Sequence, residues 1–274
     1  MKLREVARLI RAEHGVMVSI AVLAGYLASG GKSLLGALIA CIATFFIEAA
    51  LFATNDIFNL EEDRLNRPNR PLVQGTVTLR EAWSITILSA ILGIILSAFL
   101  GTVPFVLACA ALALGLLYNY YLKRTAFFGN LIVAALTSLS FMYGAFCATT
   151  SPPARIAVFT MIAFAANLGR EIIKGIRDLE GDMRAGICTL PCEIGVAPSA
   201  AVSSAFIFSA VALSIAAARY FTPIYLALII ATDLIFAYAA LTVLLKPVEN
   251  AERARNLTLI GMLLAILALL LSSL

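Results

Sequence analysis

Charge is scarce in this chain of 274 residues: Asp, Glu, Lys and Arg together make up 13%, and histidine and tryptophan occur once each. A soluble domain carries about 25% charged residues and about 45–50% apolar ones. Here 62% of residues are hydrophobic and the mean hydropathy is +0.98. A water-soluble globular enzyme, a disordered chain and a nucleic-acid binder with a dense basic surface are thereby excluded. Long polar tails are also missing, so no separate soluble domain is expected. The five cysteines include no C-x-x-C pair, and an odd count argues against a disulfide framework. Cys41, Cys109 and Cys147 lie in apolar runs and Cys188 and Cys192 form a C-x3-C in a polar stretch; all five are read as small apolar fillers.

What the chain does have is apolar runs of membrane-crossing length. A spanning helix takes about 20 such residues, and runs bounded by charge, Gly or Pro predict nine spans near 14–30, 33–54, 81–100, 102–121, 126–148, 155–173, 197–218, 222–245 and 256–273. The first has basic residues before it like a signal peptide, but the eight that follow mark it as a retained span. All must be helical, because backbone groups in lipid need internal partners and no barrel-like alternation is present.

Seventeen of the 20 Lys and Arg residues fall on the side of the N-terminus and even-numbered turns; only Lys32, Arg155 and Arg219 face the other. Positive residues mark the cytoplasmic side, which places the N-terminus there and the C-terminus outside. The two longest connections, about 55–80 and 174–196, lie on that cytoplasmic side, where the chemistry is expected.

Both connections carry acids at helical spacing. In the first, Asp56, Asn59 and Asp63 recur at i, i+3 and i+7; in the second, Asp178 and Asp182 stand at i and i+4. Setting NDIFNLEED over KGIRDLEGD aligns Ile57 with Ile176, Asn59 with Asp178, Leu60 with Leu179, Glu61 with Glu180 and Asp63 with Asp182. That suggests an internal duplication, about 14–121 and 126–245 with a ninth helix added. The fold expected is therefore all-α: one polytopic membrane domain over 1–274, nine transmembrane helices around a central cavity, capped by the two loops.

Two carboxylate groups facing each other suit Mg²⁺, which takes oxygen ligands, keeps waters and is commonly shared with substrate phosphate. Metals so held bridge a diphosphate that bare carboxylates would repel. Arg67, Arg70, Lys123, Arg124, Lys174 and Arg177 are close in sequence and could neutralise the remaining phosphate charge. Glu61, Glu62 and Glu180 fall off the motif faces and are read as solvated.

Asn55-Asp56-x-x-Asn59-x-x-x-Asp63 followed by Arg67-Pro68-Asn69-Arg70-Pro71, together with Asp178-Leu179-Glu180-Gly181-Asp182, resembles the paired signatures of the UbiA family of intramembrane prenyltransferases. The helix count and loop positions match as well. The resemblance implies transfer of a prenyl group from an allylic diphosphate donor to a lipophilic acceptor. It implies metal at Asn55, Asp56, Asn59, Asp63, Asp178 and Asp182, with two Mg²⁺ ions expected there, and Asp56, Asp63, Asp178, Asp182 and Lys123 catalytic. Diphosphate contacts are expected from Asn55, Arg67, Lys123, Arg124, Lys174 and Arg177. Acceptor contacts are expected from Arg11, Glu48, Arg70, Tyr118 and Tyr120. NDxxNxxxD with NRPNRP looks most like an archaeal branch whose members add a geranylgeranyl chain to the free hydroxyl of geranylgeranylglyceryl phosphate, in ether-lipid synthesis. Two departures stand out: Asn59 replaces a common Asp, and Asn119 stands where the family's YxxxK element has Tyr before Lys123.

Glu48 and Asp233 fall inside spans, where an ionisable group faces a cavity or a partner. Glu48, two turns before Asn55, is expected to line the acceptor pocket. His14 is expected to hydrogen-bond at the membrane surface beside Glu13. Candidate aromatic faces for an allylic cation are Phe45, Phe46, Phe52, Phe58, Tyr118, Tyr120, Tyr121, Phe141 and Tyr143. The partners expected are the donor, a phosphoglyceryl ether and the bilayer, with no nucleic acid. An aromatic prenyltransferase acting on a quinone or haem precursor, and more remotely a transporter, are the competing readings.

Overall fold

A computed structural model describes residues 2–184 and 186–272. Its elements are α1 (Leu3–Leu9), α2 (Ala12–Ala28), α3 (Leu34–Phe58), α4 (Leu60–Asn66), α5 (Leu79–Phe99), α6 (Thr102–Tyr120), α7 (Ala126–Ala148), α8 (Ala154–Arg184), α9 (Leu190–Ile194), α10 (Val196–Ala217), α11 (Pro223–Leu245) and α12 (Pro247–Leu271). No strand occurs among the described residues. Eight helices are long and apolar enough to cross a membrane; Ala12–Ala28, the first expected span, is apolar but only 17 residues long.

Helix starts follow local chemistry. Ser33 accepts a hydrogen bond from the Gly36 amide at 3.1 Å. Thr78 and Glu81 form a reciprocal capping box on α5. Pro223 and Pro247 open α11 and α12, where a missing N–H costs nothing. Helices run further than the apolar runs do. α8 continues to Arg184 and α12 begins at Pro247, well outside the expected 155–173 and 256–273. Charge ends a membrane run but not a helix, and REIIKGIRDLEGDMR contains no Pro and retains amphipathic spacing. At 1.5 Å per residue α8 is about 46 Å long, against a hydrocarbon core of about 30 Å, so its motif end stands clear of the membrane.

The bundle is organised around α2, α3, α7 and α8. α2 packs on α3 and α7, α7 on α8, α5 backs α3, α10 backs α8, and α12 closes against α8, α11 and α2. Small residues permit these close approaches. A Cβ on Gly25 or Gly144 would collide with the carbonyl oxygens of Phe141 and Val22 respectively, so α2 and α7 meet backbone to backbone.

The residues ahead of the first expected span form α1, which ends at Leu9, fully buried against Ala53, Leu72, Val77 and Ala82. One expectation is corrected. Cys188 and Cys192 are joined in a disulfide, their Cα atoms 5.3 Å apart. An odd count is satisfied by one bond and three free thiols, Cys41, Cys109 and Cys147. The turn into α9 brings the pair together, which spacing read along a straight chain cannot show.

Candidate active site

α3 carries the first motif to the end of the bundle and breaks there. Asn59 leaves the helical region (φ −102°, ψ 17°), yet its amide still donates to Asn55 O at 3.1 Å and Asp63 N donates to Asn59 O at 2.8 Å. The ladder is thus kinked rather than lost, and Asp56, Asn59 and Asp63 stay on one buried face, 1%, 5% and 5% exposed.

Asp56 is held by two arginines. Arg11 donates to its Oδ1 at 2.8 Å, and Arg70 donates to Oδ1 and Oδ2 at 2.9 and 3.0 Å. Arg11 gains its reach from its backbone: at φ 47° it is the one non-glycine residue with positive φ among the described residues. Such a conformation costs about 1–3 kcal/mol and persists only where surrounding contacts enforce it. Its guanidinium lies 4.4 Å from the Phe52 ring centroid and also contacts Asn55 Oδ1 at 3.4 Å. Burial, and then Arg70, pull the Arg11 pKa down, and Asp56 opposes both.

Asp63 is the opposite case. Among the described residues its carboxylate has no hydrogen bond or ion pair. Burial pushes its pKa up, Arg70 opposes, Asp56 adds to the rise, and Arg67 and Lys123 oppose it.

Lys123 is bonded into the first motif segment. It reaches from the turn after α6 to donate to Asn59 Oδ1 at 3.0 Å and to Glu62 Oε1 at 3.1 Å. Its charge acts on both Asp63 and Asp182. Asp182 also feels Asp178, Lys174 and Glu62. Lys123 is thus bonded into the first motif, and its charge favours the ionised form of an acid in each.

Other expected residues divide. Asn55 is a positioning residue: its Nδ2 donates to Asn119 Oδ1 at 2.9 Å, while Asn119 Nδ2 donates to Leu51 O at 2.8 Å. Tyr118 is acted on by Glu171, Asp182, Arg11 and Glu62. Tyr120, two positions on, is 75% exposed with its ring edge-on to Phe58 at 5.9 Å. Two helical residues lie about 200° apart, so only Tyr118 faces the acids. Arg177 is drawn aside, donating to Asp178 at 2.5 Å and to Glu252 of α12 at 3.2 Å. Lys174 pairs with Glu171 at 3.1 Å. Arg67 and Arg124 are exposed and form no ion pair among the described residues. Glu48 has no hydrogen bond or ion pair there, and Arg11 is the charge that acts on it. Asp233 is acted on by Ser214 of α10, not by the motif residues.

His14 packs against Phe52 with ring centroids 5.1 Å apart rather than bonding Glu13. Of the other aromatic candidates, Tyr143 bonds Ser97 at 2.7 Å and Phe141 packs edge-on to Phe159. Phe52 is the one that lies under the Arg11–Asp56 pair.

Three residues were missed. Glu62, read as solvated, is the partner of Lys123. Asn119 looked like a departure from a motif and is instead the lock on Asn55. Glu171 is 6% exposed between Arg170 and Lys174; as an acid inside an apolar run, it met the same criterion that singled out Glu48.

Among the described residues, no three His, Cys, Asp or Glu side chains form a preformed metal cluster. Mg²⁺ is often held by only one or two carboxylates plus substrate phosphate. A buried Asp63 with no partner among the described residues fits that demand, and Asp182 is the corresponding acid of the second motif. Asp56, already holding two arginines, is placed as their anchor.

The family model described as the UbiA prenyltransferase family matches residues 16–272. Digeranylgeranylglyceryl phosphate synthase of Saccharolobus solfataricus is 32% identical over 280 residues, covering 100% of this chain and 98% of that protein. A solved structure of digeranylgeranylglyceryl phosphate synthase superposes with a TM-score of 0.86 at 30% identity, over 99% of this chain and 98% of the other. A UbiA homolog from Archaeoglobus fulgidus bound to GPP and Mg²⁺ gives a TM-score of 0.70 at 18% identity over 97% and 99% of the two chains, a likeness of fold. A multi-pass helical bundle with paired acid motifs at one end thus defines an intramembrane prenyltransferase. The chain belongs to the UbiA prenyltransferase family.

Proposed function

We propose that this protein transfers a geranylgeranyl group from its allylic diphosphate to the free hydroxyl of geranylgeranylglyceryl phosphate, a step in ether-lipid synthesis. The observation that carries the reading is the buried face of Asp56, Asn59 and Asp63 with Lys123 bonded to it at Asn59. Relatives named for that activity along the whole chain support the acceptor.

Asp63 and Asp182, with Asn59 and Asp178 beside them, would hold Mg²⁺, two ions in this reading. Bound there, the metal neutralises charge developing on the departing diphosphate. Lys123, Arg67 and Lys174 bind the diphosphate oxygens, and Asp56 holds Arg11 and Arg70 in place. Phe52 offers its face to the allylic carbon as the C1–O bond breaks. The acceptor oxygen then bonds to C1, and its proton passes to a carboxylate of the site or to the released diphosphate. The apolar bundle keeps water from the cation. We place the N-terminus and the site on the cytoplasmic side and the C-terminus outside, and read 1–274 as one domain of two related halves.

The test is product mass. Purified protein with geranylgeranyl diphosphate and Mg²⁺ is offered a phosphoglyceryl ether and 4-hydroxybenzoate side by side. The reading expects only the ether to gain a prenyl mass, with EDTA stopping the reaction; prenylated hydroxybenzoate as the product would overturn the acceptor.

A further inference from the structure

Beside the acid motifs lies a second charged feature. α1 and the 67–71 turn border an open cleft of about 400 Å³ lined by Arg4, Arg8, Arg11, Arg70, Glu13 and Asn69, and an adjoining hollow of similar size brings in Arg67. None of the motif carboxylates lines it.

The walls are fixed. Arg8 donates to Asn69 O at 2.6 Å and to Glu5 at 2.9 Å, Thr76 donates to Glu5 at 3.2 Å, and Leu9 anchors α1 in its apolar cluster. α1 is thus stapled to the turn at two points. Inside the cleft, the positive charge is incompletely paired. Arg4 has no hydrogen bond or ion pair among the described residues, and Arg11 Nε is buried without a partner. Arg11 and Arg70 share the single carboxylate of Asp56 and Arg8 pairs with Glu5, so Arg4 adds an unpaired cation to a hollow lined by four arginines and Glu13 at the start of the first apolar helix. That is the depth at which a lipid headgroup sits, and a phosphate monoester brings about −1.5 to −2 charge, with oxygens matched to guanidinium forks.

We propose that this cleft is a phosphate-monoester site for a membrane-anchored headgroup, with Arg4 and Arg8 as its outer donors and Arg11 and Arg70 as its inner ones. Identifying that headgroup as the prenyl acceptor's rests on the function proposed above. On that reading Arg11 and Arg70 work on two faces: toward Asp56 within, and toward the acceptor phosphate without. The hydroxyl end of the acceptor is thereby tethered beside the acid motifs.

The test titrates dodecyl phosphate into the purified full-length protein in detergent and reads binding by calorimetry. Dodecyl methyl phosphate supplies a diester with the same tail, and inorganic phosphate a monoester with none. The monoester with a tail is expected to bind about tenfold more tightly than either control. Arg4→Gln, which removes no protein contact, and separately Arg8→Gln are each expected to weaken it about tenfold. Binding of a non-cleavable prenyl diphosphate analogue with Mg²⁺ should stay unchanged in Arg4→Gln. Unaltered dodecyl phosphate binding in both variants overturns the site. Equal binding of the diester, lost in the same variants, reassigns the cleft to bulk phospholipid and overturns the monoester specificity. Equal binding of inorganic phosphate overturns the membrane-anchored occupant. A protein that binds dodecyl phosphate here but prenylates no phosphoglyceryl ether sustains the site and refutes only the proposed function.

Discussion

Asp56 and Asp63 stand seven residues apart on one face, yet Asp56→Ala and Asp63→Asn should differ sharply in their effect on stability. Asp56 is 1% exposed and carries two arginines, at 2.8 Å from Arg11 and 2.9 Å from Arg70. Removing it leaves two cations facing each other with no anion, and breaking a buried pair by deleting one partner costs about 3–5 kcal/mol. Scaled to 274 residues, the unfolding entropy of globular proteins turns that into about 5–9 °C of thermal midpoint. Asp63 is nearly as buried but has no partner among the described residues. Burial raises its pKa, so in metal-free protein its favourable contribution is present when protonated and disappears as pH rises through that raised value. Asp63→Asn therefore leaves metal-free stability at pH 7 unchanged or slightly higher, while abolishing transfer. The assay is thermal unfolding of the detergent-solubilised protein in EDTA, beside transfer rates with Mg²⁺. A double-mutant cycle adds the check: Asp56→Ala with Arg70→Gln should recover part of the loss, because one uncompensated cation is gone. Equal midpoints for Asp56→Ala and Asp63→Asn would refute the division of roles.

Lys123→Gln should cost under about 1 kcal/mol of stability, since the Glu62 pair is 23% exposed on both sides, but lower the transfer rate about 10²–10³-fold; normal turnover would remove Lys123 from the diphosphate. EDTA should stop transfer by the unsubstituted protein and leave the thermal midpoint of the Asp63→Asn variant unchanged; a lower midpoint in that variant would place a structural metal elsewhere. Gly144→Ala forces a Cβ onto the Val22 carbonyl and should destabilise by about 1–3 kcal/mol, seen as a lower midpoint; an unchanged one would mean α2 and α7 are further apart. Cys192→Ser opens the loop closed by the Cys188–Cys192 bond and should cost about 2 kcal/mol on the chain-entropy account. Mass spectrometry of unreduced protein showing five free thiols would contradict the bond itself.

Much of the site could be read along the chain because its parts are helical. Asp56, Asn59 and Asp63, and likewise Asp178 and Asp182, share faces by spacing alone, and periodicity survives folding unchanged. The motif end of α8 was harder to read, because hydropathy reports where lipid ends rather than where a helix does. Tyr118 and Tyr120 could not be separated without knowing which side of α6 meets the acids. Asn119 and Glu62 escaped for a related reason: each acts through a partner more than 60 positions away.

The sequence by itself determined that this is a multi-span helical membrane protein with two acid motifs, since apolar length and helical period are properties of contiguous residues. Only the tertiary structure decided that Asp56 anchors two arginines while Asp63 has no partner among the described residues. It alone bonded Lys123 to Asn59 and Glu62 and set α1 beside the 67–71 turn to form an arginine-lined cleft. Those outcomes depend on which side chains meet across helices, and electrostatic partnership is set by distance in space rather than by separation along the chain.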